Sequence, residues 1–252
     1  MTDESSWDIW DEDESVVQDV PAVRELVIQR HGGKFDSKKF KMLVYGESGS
    51  GKTRFAATFP NALFADLDKG MASVDWEVDV ADINSFEELK DLYEFLREGK
   101  HNYETIVIDT LNEMQRLALH ATVEDFPAIR RSYNDLPSQS DYGKMLHDMV
   151  ELTINFAYLP MRVVFISQVI SRQFDTDVIQ PQLIGKNTAR EICRKMDVIG
   201  YIYKSEKEVE DDNRKVSEIV FDAANYVVKD RSGKLPAVIV DPSFEKLNAY
   251  WN

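Results

Sequence analysis

The chain has 252 residues, 43% of them hydrophobic, enough for one large core or a core with an appendage. Its formal net charge of -15 argues against a dedicated duplex-DNA binder, because phosphate neutralisation supplies most of such a protein's affinity. No apolar run is long enough to span a bilayer, no signal-peptide pattern opens the chain, and the lone Cys193 excludes an internal disulfide or multi-cysteine metal site; a cytoplasmic protein is expected, with Cys193 a small buried hydrophobe.

The charge is uneven. Residues 1–20 carry eight acidic side chains and no Lys or Arg, so this tail holds -8 and the rest of the chain -15 + 8 = -7. So few apolar side chains accompany those charges that disorder in isolation is expected. Trp7, Ile9 and Trp10 give the tail a means of docking on a basic, partly apolar groove. Residues 21–38 read as a helix and a linker through Gly32-Gly33, and residues 39–252 as the core.

The core opens on Gly46-Glu47-Ser48-Gly49-Ser50-Gly51-Lys52-Thr53, which follows the apolar run Met42–Tyr45 and fits the P-loop pattern G-x-x-x-x-G-K-[ST]. Its glycines let successive N–H groups point inward at phosphates, and the helix that follows begins with its positive dipole end there. Lys52 supplies a mobile charge to the β and γ phosphates, and the Thr53 hydroxyl is placed to ligate magnesium. ATP and Mg2+ are the expected ligands.

Strand and helix signals then alternate. Strands are expected at 41–45, 62–66, 104–109, 162–167 and 198–203, with helices at 86–97, 112–123 and 142–158. Thr105-Ile106-Val107-Ile108 is apolar or β-branched throughout, as a strand buried on both faces should be. The charged run Lys204–Lys215 reads as an exposed hairpin connection, and 125–141 and 169–186 as long irregular loops. The pattern predicts a mostly parallel, twisted sheet flanked by helices, with a C-terminal β-hairpin.

Asp109, at the carboxyl end of its strand, is the expected magnesium-site acid alongside Thr53. Thr110 follows it, where AAA+ enzymes usually carry a glutamate, and strand signals follow 198–203 where those enzymes carry a helical lid. Phe64-Ala65-Asp66-Leu67-Asp68 resembles instead the F-I-D-A-E of RecA-like ATPases. Asp68 stands in the glutamate's place, one methylene shorter, as the base that orients and deprotonates water; Asp66 and Glu113 are the reserve candidates. Val164-Phe165-Ile166-Ser167-Gln168 is similar to the F-I-N-Q strand of that family, whose glutamine senses the γ-phosphate and relays it to a DNA-binding loop. That resemblance makes 169–186, with Arg172 and Lys186, the loop, and 125–141, with Arg130 and Arg131, its partner. Val227-Val228-Lys229-Asp230-Arg231 resembles the paired basic residues that reach a neighbouring subunit's nucleotide, which implies that Lys229 and Arg231 act in trans.

Collinear over about residues 40–245, these motifs resemble the compact RecA-like P-loop ATPases of bacteriophages that are grouped with Sak-type single-strand annealing proteins. The resemblance implies an α/β RecA-like core that binds and slowly hydrolyses Mg-ATP. It also implies a homo-oligomer, ring or filament, assembled on single-stranded DNA in the cytoplasm of a bacterial host for annealing and recombination. A single-strand DNA-binding protein is a further implied partner. Two other functions fit the same P-loop: a nucleotide-switched interaction protein that does not touch nucleic acid, favoured by the acidic balance, and a packaging or helicase-loader motor.

Overall fold

The computed structural model describes residues 34–125, 137–170, 178–185, 187–209 and 212–252. The expected tail and linker helix lie outside the described residues except for the linker's last positions.

A run of buried strands organises the fold. Lys41–Gly46 (β1), Ala62–Asp66 (β2), Asp79–Asp82 (β3), Thr105–Asp109 (β4), Arg162–Ile170 (β5) and Val198–Val209 (β7) lie parallel in the order β7-β1-β5-β4-β2-β3. Asp212–Val220 (β8) and Val238–Val240 (β10) continue the sheet antiparallel beyond β7. Two short strands, Gln180–Pro181 (β6) and Lys229–Asp230 (β9), pair with β5 and β7 off the main path. β5 therefore lies between the P-loop strand β1 and the strand carrying Asp109.

Both faces of the central strands are covered, which is why they read as continuous apolar runs. Leu43, Ile106, Ile108, Val163 and Phe165 face helices Phe86–Glu98 (α2), Leu111–Asp125 (α3), Gln139–Ala157 (α4) and Thr188–Lys195 (α5). Met42, Val44, Phe64, Val107 and Ile166 face the P-loop helix Lys52–Ala56 (α1) and the last helix, Phe244–Trp251 (α6). Local chemistry sets the helix ends. Ser85 Oγ accepts from the Glu88 amide at the start of α2, and the Glu88 carboxylate accepts in turn from the Asn84 amide. Ser138 and Asp141 form a reciprocal capping box on α4.

Several segments depart from the pattern read in the sequence. The edge strand β3 and the helices α5 and α6 are short segments in polar sequence, stabilised by what they pack on. Of the charged run read as a hairpin connection, 204–209 and 212–215 are strand: β7 and β8 stay in register from Tyr201↔Val220 to Val209↔Asp212. Cross-strand pairing along this ladder outweighs the polarity of its residues. The loop expected at 169–186 is partly ladder, since β5 continues to Ile170 and β6 pairs back onto it at Val169↔Pro181. Cys193 is buried as expected, and burial pushes its thiol up to about 12. Among the described residues no helix is long and apolar enough to cross a membrane.

The smaller of the two cores closes on α6. The Trp251 ring lies 4.8 Å from both Phe35 and Phe40, and its indole N–H donates to Ser232 Oγ at 3.0 Å. Trp251→Ala is expected to cost about 3–5 kcal/mol, the range for deleting a buried aromatic ring, measured as a lower urea midpoint at unchanged slope.

Candidate functional site

Parallel strands deliver their last residues to one edge of a sheet, and here those residues are the polar ones. The register pairs Gly46 with Gln168 and Asp66 with Asp109. Residues far apart in sequence thus meet along the carboxyl edge of β2, β4, β5 and β1.

The P-loop leaves β1 through a passage that admits only glycine. A Cβ on Gly46 would lie 2.1 Å from the Ile202 carbonyl oxygen of β7, a contact that no side chain can relieve. Gly51, with φ 101°, makes the turn into α1, where a Cβ would meet Ser217 Oγ at 2.7 Å. The Ser217 hydroxyl donates to the Ser50 carbonyl at 2.9 Å and ties the loop to β8.

Lys52 is buried and folded back across the loop. Its Nζ donates to the carbonyls of Gly46 at 2.9 Å and Glu47 at 2.8 Å and to Gln168 Oε1 at 3.2 Å. Burial lowers its pKa, against the pull of Asp109, Asp68 and Glu47. Thr53 Oγ1 donates to Asp109 Oδ2 at 2.7 Å. Asp109 is 2% exposed, and desolvation pushes its carboxyl up to about 6 despite the Thr53 hydrogen bond. The peptide that follows, Asp109–Thr110, is cis.

Asp66 is buried beside Asp109 and accepts from the Gly70 amide at 3.1 Å. Asp68 stands at the exposed lip. Partial enclosure of its carboxyl, with Asp66 and Glu113 facing it, holds its pKa above the ordinary range. A cavity of about 320 Å³ opens beside it, walled by Lys69, Asn84, Glu113 and Arg116. Lys69 balances part of this acidity by pairing with Asp82, and Arg116 pairs with Glu113 at 2.5 Å.

The edge has the parts that an Mg-nucleotide requires. The first amides of α1 have no partner inside the helix, Gly49 leaves open space at the loop backbone, and among the described residues Ser50 Oγ, a buried hydroxyl, has no hydrogen-bond partner. Thr53 and Asp109 form an oxygen pair of the kind magnesium takes.

Lys229 and Arg231 lie elsewhere. β9 pairs with the start of β7, Val198↔Asp230, and Val198 pairs with Met42, so this pair sits about 13 Å along the strand direction from Gly46. Lys229 Nζ donates to the Met196 carbonyl at 2.5 Å and to those of Cys193 and Arg194 at the end of α5. Arg231 pairs with Asp197 at 2.6 Å. Arg130, Arg131, Arg172 and Lys186, the expected nucleic-acid contacts, all lie outside the described residues.

The sequence reading passed over a cavity of about 230 Å³ on the other side of the P-loop, walled by Gly51, Arg54, Trp76, Ser217, Asp241 and Pro242. Trp76 is 40% exposed; its indole N–H donates to the Ala57 carbonyl at 3.1 Å, and the Arg54 guanidinium lies 5.7 Å from its ring centre. An isolated tryptophan among polar residues was the available signal, but no spacing rule connects it to residue 241.

The family model described as an AAA domain matches residues 38–232. The chain belongs to that family. Its members are P-loop ATPases, which accords with the expected fold and with nucleotide use. Among solved structures, the chain is similar to a KaiC-like protein from the hyperthermophilic archaeon Pyrococcus horikoshii. The identity is 15%, over 75% of this chain and 80% of that one, with a TM-score of 0.43. No curated protein matches the chain.

The raised carboxyl of Asp109 has a consequence for stability. Its folded value lies above its unfolded value of 3.8, so the native state holds the extra proton between about 4 and 6. Stability of the nucleotide-free chain therefore falls as pH rises through that window, by on the order of 3 kcal/mol once the group is charged. Asp109→Asn removes the charge. It is expected to raise the melting temperature at pH 8 without magnesium or nucleotide, to leave it nearly unchanged at pH 4, and to abolish any stabilisation by Mg-ATP; calorimetry at the two pH values checks this.

Proposed function

We propose that this chain binds Mg-ATP, hydrolyses it slowly between subunits, and assembles on single-stranded DNA to promote strand annealing in phage recombination. The observation that carries the proposal is the Lys52–Gln168 contact at 3.2 Å. It joins the phosphate cradle to the end of β5, the strand that leads directly into the expected DNA-binding loop.

In this reading Lys52 exchanges its loop carbonyls for the β and γ phosphates, and Thr53 and Asp109 hold magnesium. Magnesium supplies charge neutralisation across the phosphate oxygens. Asp68, partly exposed and one methylene shorter than glutamate, orients and deprotonates water from the lip of the site. Its reach and exposure account for a slow reaction. Gln168, freed from Lys52, turns its carboxamide to the terminal phosphate. The cavity beside Trp76 takes the base and ribose, with the indole stacking on the base. Lys229 and Arg231, at the opposite edge of the sheet, serve the nucleotide of a neighbouring subunit. Arg130, Arg131, Arg172 and Lys186 supply the contacts to DNA, with a single-strand DNA-binding protein as an additional partner in the host cytoplasm. The net charge of -15 supports a second reading, a nucleotide-switched protein that acts on other proteins.

Fluorescence anisotropy of a labelled single-stranded oligonucleotide separates the two. Binding is expected only with an Mg-ATP analogue, weakening steeply with salt and lost in Lys52→Ala. Tight nucleotide binding with no oligonucleotide binding in either state would favour the second reading. In the same preparations, Trp76→Ala is expected to weaken the ATP analogue about tenfold, the equivalent of one lost aromatic contact, as read by equilibrium titration.

A further inference from the structure

Where β5 meets β6, the ladder is interrupted by a side chain. β5 and β6 pair at Ile170↔Gln180 and Val169↔Pro181, so the next antiparallel pair is Gln168 with Gln182. One bond of that pair is direct, the Gln182 amide donating to the Gln168 carbonyl at 2.8 Å. The reciprocal bond is not. The Gln168 amide donates instead to Asn112 Oδ1 at 2.8 Å, and Asn112 Nδ2 donates to the Gln182 carbonyl at 2.7 Å. The carboxamide of Asn112 completes a closed ring of hydrogen bonds in which each of the three residues donates once and accepts once.

Asn112 comes from the first turn of α3, three residues after Asp109. It therefore touches, through one planar group, the backbone of the residue whose side chain meets Lys52 and the strand that comes back after β5. Ser167 Oγ also donates to its Oδ1, at 3.2 Å. Farther along the same helix Gln115, itself buried, grips Ile184 from both sides: its Nε2 donates to the Ile184 carbonyl at 3.0 Å, and its Oε1 accepts from the Ile184 amide at 2.8 Å. The first of these amides is attached to the nucleotide site, while the second only anchors the returning strand.

We infer that Asn112 is a positioning residue that transmits the nucleotide state from Gln168 to residues 178–185, whereas Gln115 holds that segment whatever the nucleotide state. The inference rests on the reading that Gln168 faces the terminal phosphate. When phosphates take Lys52, the Gln168 side chain gains a fixed partner, the end of β5 is held, and the ring passes that restraint to Gln182. Asparagine suits the position because the group must accept from one strand and donate to the other. An aspartate of the same shape still accepts from the Gln168 amide but cannot donate, and it leaves two acceptors facing each other at the Gln182 carbonyl.

Hydrogen–deuterium exchange of the full chain, with and without magnesium and a non-hydrolysable ATP analogue, tests this. In the unaltered chain, nucleotide is expected to slow exchange of segment 178–185 by about fivefold or more. Asn112→Asp is expected to bind the analogue within about threefold of the unaltered affinity, yet to lose that slowing. Gln115→Ala is expected to exchange faster in both states and to keep the nucleotide-dependent difference. Slowing that persists in Asn112→Asp would overturn the inference, as would its loss in Gln115→Ala. An unaltered chain that binds the analogue with no change in exchange would overturn the inference alone. One that binds no nucleotide would overturn the functional reading beneath it as well.

Discussion

The carboxyl edge of the sheet depends on how one buried carboxylate is satisfied. Asp109 is almost fully enclosed, and among the described residues one hydroxyl, Thr53 Oγ1, donates to its carboxylate at 2.7 Å. A charge in that position is costly without a cation, so the nucleotide-free fold carries an electrostatic burden that a bound metal relieves. The rest of the edge compensates in part. Lys52 lies within the field of Asp109 and Asp68, Lys69 pairs with Asp82, and Arg116 takes Glu113. Asp66 and Asp109, the last residues of β2 and β4, and Asp68 at the lip leave this edge acidic, with Lys52, Lys69 and Arg116 as its counter-charges.

How much of this was legible in the sequence follows from the range of each interaction. The P-loop, the Asp109 strand and the doubly buried strands were readable because their signals are local: a glycine pattern, a run of β-branched residues, an acid at its end. The edge strand β3 was not, because Asp79–Asp82 is a polar tetrapeptide that becomes a strand only by pairing with β2. α5 and α6 are eight residues each, too short to show periodicity, and depend on what they bury. The charged run 204–215 was read as the exposed connection of a hairpin rather than as its strands, because solvation and strand pairing leave the same polar composition.

The site divides along the same line. Lys52, Thr53, Asp109 and Gln168 end or follow buried strands, and sequence placed them at the edge where the structure brings them together. Trp76, Asp241 and Asn112 did not announce themselves, since their positions arise from contacts between elements distant in the chain. Asn112 is the plainest case. In sequence it is an ordinary residue of a helical first turn, and only the missing half of a ladder pair between β5 and β6 gives it meaning.

The position of β9 carries a consequence for assembly. Lys229 and Arg231 are tied to α5 and Asp197 at the edge of the sheet opposite the P-loop. Any contact in which that edge of one subunit completes the phosphate site of the next joins two different surfaces, and so runs head to tail. A twofold dimer forms it only if a single patch carries both the basic pair and the P-loop, each subunit then completing its partner's site. In an open chain of such contacts one terminal site always stays incomplete, whereas closure into a ring completes every one. Catalytic output per subunit would then rise with the length of an open assembly and become independent of size in a closed one, so the geometry of association would be written into the kinetics.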